Sequence, residues 1–161
     1  SAPTRTTALE LALNLEGRVR LVAAGGGGID GGHTVFVVER DNADEVWVCG
    51  HGRWGQLGLK SFAHISAPRR VTQLAKLREW DEEANRVRNI GVRKVACGDA
   101  HTAVLLDSGN VFLFGWNDRG QLGSGGSQGS HTPAMLKAPQ DLRVSNLRGL
   151  ACGPVATAVW V

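Results

Sequence analysis

The sequence predicts an all-β chain, a partial β-propeller of about two and a half blades. Three observations point there. A block of residues recurs at a fixed offset, and short β-branched and aromatic runs alternate with glycine and Asx turns. Glycine is also abundant, at 22 residues, while proline is held to 5, which implies many tight turns. A repeat unit of this size cannot bury its own apolar face, so neighbouring units must stack, and a ring of small sheets achieves this.

Taken in chain order, Leu9, Leu11, Leu13 and Leu15 alternate with Glu10, Ala12, Asn14 and Glu16. That period of two belongs to a half-buried strand and not to a helix, and assigns residues 1–18 to the edge of a preceding blade. The first repeat, residues 19–91, carries strands at residues 19–24, 33–38 and 46–50, with hairpin loops lengthened at residues 25–32 and 39–45. The second, residues 92–147, is a cleaner meander: Val92–Cys97, a turn at Gly98, Asp99 and Ala100, His101–Leu106, a turn at residues 107–110, then Val111–Gly115. Residues 148–161 open a further repeat through Leu150, Ala151, Cys152 and Gly153, then Ala156, Thr157, Ala158 and Val159, and stop within it.

The register of the repeat is strict. Gly50, Gly55, Gln56, Leu57, Gly58 and Pro68 recur 65 residues later as Gly115, Gly120, Gln121, Leu122, Gly123 and Pro133. Upstream, Val22, Ala23, Ala24 and Gly25 lead to His33 and Thr34, as Val95, Ala96, Cys97 and Gly98 lead to His101 and Thr102. Gly58 and Gly123 should therefore hold equivalent backbone positions with positive φ. Propellers close with about 4–8 blades, so further sequence, in preference to other chains, is expected to complete the ring.

Composition narrows the function classes. With 42% hydrophobic and 20% charged residues the chain can build a core, and no apolar run approaches the roughly 18 residues of a membrane span. No secretory pattern precedes Gly17, and the start at Ser1 fits processing or an incomplete beginning. A net charge of +3, spread along the chain, is a solvated mixed surface more than a nucleic-acid footprint. Three cysteines, Cys49, Cys97 and Cys152, fit a reducing compartment or a cysteine-poor organelle and fill space in the repeat.

The segments Gly50-His51-Gly52-Arg53-Trp54-Gly55-Gln56-Leu57-Gly58 and Gly115-Trp116-Asn117-Asp118-Arg119-Gly120-Gln121-Leu122-Gly123 closely resemble the signature of the regulator of chromosome condensation repeat family. Residues 95–103 resemble that family's second motif at its usual distance upstream. The resemblance implies a seven-bladed propeller of four-stranded antiparallel blades. Family members include a nucleotide exchange factor for a nuclear small GTPase, regulators fused to ubiquitin ligases, and mitochondrial proteins of respiratory-complex or ribosome assembly. Between Gly58 and Cys97 lie about ten more residues than between Gly123 and Cys152. The surplus, within residues 75–89, resembles the mitochondrial branch as seen in fungal members.

Candidate sites are few. Gly26, Gly28 and Gly31 satisfy a dinucleotide-type spacing, but a strand follows where that motif needs a helix, so no cofactor is expected. Cys49 with His51, and Cys97 with His101, could suggest zinc, yet Cys97 aligns with Ala24 and Cys152, and Cys49 with Phe114, so they read as packing positions and no metal is expected. His33 and His101 recur once per repeat and are expected to bond backbone at a strand edge. Asp107, Ser108 and His101 have the composition of a turn and not of a triad. Trp116 reads as packing between blades. The interaction candidates lie in the surplus segment, where repeat geometry requires nothing: Trp80, with Arg78, Glu79, Asp81, Glu82, Glu83 and Arg86 around it. Residues 75–89 should leave the blade, with Trp80 buried against another chain or a distant blade.

The expected function is a non-enzymatic scaffold that binds protein subunits, with a mitochondrial location suggested by the resemblance and a nuclear or cytoplasmic one as the alternative. Exchange on a small GTPase is the second reading. Nucleic-acid binding through Arg69, Arg70 and the basic residues 86–93 is the third.

Overall fold

The computed structural model describes residues 17–27, 31–137 and 147–161. The alternating leucines at residues 9–15 and the middle of the long glycine loop lie outside them. Four antiparallel strands form the first blade: β1 (Arg18–Gly25), β2 (His33–Arg40), β3 (Ala43–Gly50) and β4 (Ile65–Arg70), hydrogen-bonded in that order. A one-turn helix, α1 (Thr72–Ala75), and a separate two-stranded hairpin, β5 (Arg78–Asp81) and β6 (Arg86–Asn89), follow. The second blade is β7 (Val92–Cys97), β8 (His101–Leu106), β9 (Val111–Gly115) and β10 (Ser130–Met135), again in sequential order. A half blade, β11 (Gly149–Gly153) and β12 (Ala156–Trp160), closes the described chain. The fold is the all-β partial propeller that the repeat predicts, with the four-stranded blades that the family resemblance implies.

One expected boundary was misplaced. Residues 39–45 are not a long loop: β2 and β3 pair without interruption from His33 opposite Gly50 to Arg40 opposite Ala43. The connection is only Asp41 and Asn42, with φ of 50° and 58°. Asx residues tolerate this left-handed backbone, and two such residues in succession give the hairpin turn whose twist matches its strands. Polar residues at the end of a long hairpin had imitated a loop.

The core sits between blades, not within one. Val35, Val37, Val46 and Val48 of the first blade pack with Val92, Val95, Val104, Leu106 and Phe114 of the second, joined by Leu57, Val71, Leu74 and Ile90 from the connections. The opposite face of β8 places Ala103 and Leu105 in the next junction, with Leu113, Leu147 and Leu150. All six residues of β8 are buried for this reason. A strand covered on both faces loses the apolar and polar alternation of a one-sided sheet.

The recurrent motif builds both junctions in the same way. Gly55 (φ 81°) and Gly120 (φ 75°) turn the chain, and Gly58 (φ 64°) and Gly123 (φ 61°) turn it again. Equivalent bonds close both turns: Gly55 N–H to Gly52 O at 2.8 Å and Gly58 N–H to Gly55 O at 3.0 Å, matched by Gly120 to Asn117 at 2.8 Å and Gly123 to Gly120 at 3.0 Å. The glutamine between them folds back on its own loop, Gln56 Oε1 accepting from Trp54 N–H at 2.9 Å and Gln121 Oε1 from Arg119 N–H at 3.0 Å. Leu57 and Leu122 then enter the two cores.

A hydrogen-bond relay crosses each junction. Thr102 of the second blade donates its hydroxyl to Gln56 O of the first at 2.7 Å, and His33 Nε2 lies 2.9 Å from the same hydroxyl. One junction on, Thr157 donates to Gln121 O at 2.8 Å, with His101 Nε2 at 3.0 Å. Because the hydroxyl proton is committed to the carbonyl, the imidazole Nε2 carries a proton and donates. The repeated histidines thus bond a threonine hydroxyl of the following blade, in addition to the expected backbone contacts, with His101 and Ala156 respectively. Arg20 and Asp44 add a charged clamp: Asp44 accepts from Arg20 and from Val92 N–H at 2.7 Å, while Arg20 also reaches Val92 O.

Burial, reinforced by the charge of His101, holds the His33 imidazole down at about 4, from an ordinary 6.5. His101 is displaced in the same direction, chiefly by burial. The unfolded chain therefore binds protons that the native junction refuses, and stability is complete above pH 6.5 and declines as pH falls toward 4. His33 alone should remove up to about 3 kcal/mol over that window, read from urea denaturation midpoints between pH 7 and pH 4.5. His33→Gln should flatten the profile.

Two glycines separate crowding from backbone strain. A Cβ on Gly58 would sit 2.9 Å from the Phe114 ring, whereas one on Gly120 would meet nothing within 4 Å. Gly120→Ala should cost only the left-handed penalty of about 1–2 kcal/mol, and Gly58→Ala clearly more, by thermal melting of both variants.

Candidate functional site

The segment singled out by length forms a hairpin rooted in the core. Val71 and Leu74 on the way in, and Ile90 on the way out, are buried in the cluster between the blades, with Leu77 packed against it. Arg78 pins the base by donating from Nη1 to Leu77 O at 2.7 Å and Ala75 O at 3.0 Å. The strands pair Arg78 with Asn89, Glu79 with Arg88, Trp80 with Val87, and Asp81 with Arg86. At the tip Asp81 Oδ1 accepts from Ala84 N–H at 3.1 Å, and Asn85 turns the chain at φ 49°.

Strand alternation divides these side chains between two faces. Glu79, Asp81, Arg86 and Arg88 share the face toward the second blade. There Ser108, in the β8–β9 turn, donates its hydroxyl to Glu79 Oε1, and Glu79 is buried. Arg88 lies 3.8 Å from Asp81. The other face carries Trp80 and Val87 side by side, 58% and 61% exposed. Residues 75–89 do leave the blade, as expected, but within this chain Trp80 is not buried, and Glu79 takes the anchoring position instead. Glu82 and Glu83 stand exposed at the tip.

The structure thus brings together Arg78, Glu79, Trp80, Asp81 and Arg86 on one small ribbon and splits their roles. Sequence reasoning missed Val87 and Ser108. The signal for Val87 was present in the matched pattern of residues 78–81 and 86–89, in which a short turn sets Trp80 and Val87 opposite each other. Ser108 had no local signal, because its partner lies 29 residues away.

Elsewhere the sequence candidates are tied into the fold. Trp116 is half-buried with its ring 5.9 Å from Trp54, across the junction. Burial raises the Cys97 thiol to about 12 and the Cys152 thiol to about 11, so both stay protonated. His101 Nε2 is engaged by Thr157, and Ser108 bonds a carboxylate and no histidine. The glycine-rich loop leads into strand β2. A polar cleft beside the hairpin is lined by Arg20, Asp44, Asp81, Arg86, Arg88 and Asp107. Its charges are mixed, with Arg20 on Asp44 and Arg88 on Asp81.

Stacked four-stranded meanders, a glycine-glutamine-leucine-glycine junction and a projecting hairpin define a repeat propeller. The chain belongs to the Regulator of chromosome condensation (RCC1) repeat family: residues 43–105 and 108–160 match that repeat, and residues 92–121 match a second form of it. It is similar to the human E3 ubiquitin-protein ligase HERC2, 35% identical over 111 residues, which cover 68% of this chain and 2% of that protein. The X-linked retinitis pigmentosa GTPase regulator of Canis lupus familiaris is 32% identical over 112 residues, 69% of this chain and 9% of the relative. The crystal structure of human WBSCR16 superposes with a TM-score of 0.64 at 26% identity, covering 96% of this chain and 37% of that one. The chain therefore spans a small part of the length of each.

Ser108→Ala should strip Glu79 of its donor and leave a buried carboxylate oxygen unpaired, at about 1–3 kcal/mol. Amide hydrogen exchange should quicken across residues 78–89 and stay unchanged in β8 and β9. Equal exchange in variant and parent would show that the clasp does not hold the hairpin.

Proposed function

We propose that the chain acts by binding and not by catalysis, as a scaffold whose β5–β6 hairpin docks a protein subunit inside a large mitochondrial assembly. One observation carries the reading: Trp80 and Val87 face solvent together, on a ribbon whose other face is clasped to the second blade. A tryptophan held out on a pre-ordered support loses little entropy on binding, and tryptophan is prominent among binding hot spots. Glu82 and Glu83 at the tip suit a partner whose apolar slot has a basic rim. The mitochondrial element rests on the likeness of the inserted segment to that branch of the family.

A second reading, exchange on a small GTPase, draws support from the relative named a GTPase regulator. It calls for faster nucleotide release from a GTPase panel in the presence of the chain. Nucleic-acid binding is less favoured, because Arg70, Arg88 and Arg93 already lie at 2.7, 3.8 and 3.8 Å from Glu45, Asp81 and Asp107.

Trp80→Ala should weaken subunit binding by about 2 kcal/mol or more and leave the melting temperature unchanged. Quantitative co-purification from mitochondria, parent against variant, reads the first, and calorimetry the second. Undiminished partner recovery, or a tagged protein found outside mitochondria, would overturn the corresponding half of the proposal.

A further inference from the structure

At the other end of β4 from the hairpin, and so on the opposite rim, the β3–β4 and β9–β10 loops meet. Residues 51–64 contain Arg53, Lys60, His51 and His64 and no acidic residue. Trp54 is 36% and Phe62 58% exposed. Each is backed by the neighbouring blade: the Trp54 ring lies 5.9 Å from Trp116, and Phe62 stacks on His131 at 5.0 Å with an interplanar angle of 11°. The Arg53 guanidinium sits 5.5 Å from the Trp54 ring centre. Lys60 N–H donates to His131 O at 2.9 Å.

Lys60 is the telling residue. Its φ is 59°, a conformation that disfavours side chains, and the position 65 residues on is Gly125 with φ 81°. The repeat places glycine here in one blade and a lysine in the other, against the backbone preference. A residue held in a strained conformation that presents its side chain to solvent points to use at a surface.

We propose that this rim binds an acidic, aromatic-bearing segment of a partner protein, Lys60 meeting its carboxylates while Phe62 and Trp54 receive its apolar side chains. A phosphate backbone fits less well. It needs a continuous basic track, whereas Asp118 offsets Arg119 on the adjoining loop. The site lies apart from the hairpin and does not depend on it.

The probe is a short fluorescein-labelled peptide of alternating Glu and Phe, titrated with the full chain by anisotropy. Binding should weaken with added salt and drop about tenfold or more in Phe62→Ala and in Lys60→Gly. Lys60→Gly relieves the left-handed strain, so it should melt no lower than the parent, which separates lost binding from lost folding. Trp80→Ala should bind as the parent does. Equal affinity for a Lys-Phe peptide, unchanged binding by Lys60→Gly, displacement by a single-stranded oligonucleotide that itself binds more tightly, or a Trp54-dependent dimer that the peptide does not dissociate would each overturn the proposal.

Discussion

Everything in this fold depends on the fact that a single blade cannot bury its own sheet. Valines stand on both faces of β2, and β8 has no exposed residue, so each sheet is stable only when another lies on it. Apolar contact is non-directional and would tolerate sliding. The junction therefore needs something directional. The threonine hydroxyl that accepts from a histidine and donates to the Gln56 or Gln121 carbonyl supplies it, in the same place in both junctions.

This explains why the chain tolerates unequal loops. The relay fixes the start of β8 or β12 against the glycine-glutamine turn of the preceding blade, so the stretches between fixed points can vary without changing how blades stack. The connection between the two blades has used that freedom, adding α1 and the hairpin while the core residues Val71, Leu74 and Ile90 remain in place at its ends.

Most of the architecture could be read from the residues. The offset of 65 residues, the positive-φ glycines and the meander of the second repeat followed from spacing and turn chemistry. What escaped was what depends on distant partners. Asp41 and Asn42 looked like part of a loop because their polarity says nothing about strand pairing beyond them. His33 and His101 were recognised as structural, but their threonine partners lie 69 and 56 residues away in the next blade. At the hairpin, Trp80 drew attention by size and setting, while the burial of Glu79 depended on Ser108 and could not be seen locally.

The rooting of the hairpin also determines where a load would go. A partner pulling on Trp80 would not tug at a free loop, because both legs run into the apolar layer between the blades and the clasp reaches the β8–β9 turn. Tension would arrive as shear across that layer, resisted by many side chains at once and by the Arg20–Asp44–Val92 bonds that span the same seam. The seam would then act as a mechanical fuse, letting go only when the two sheets part together.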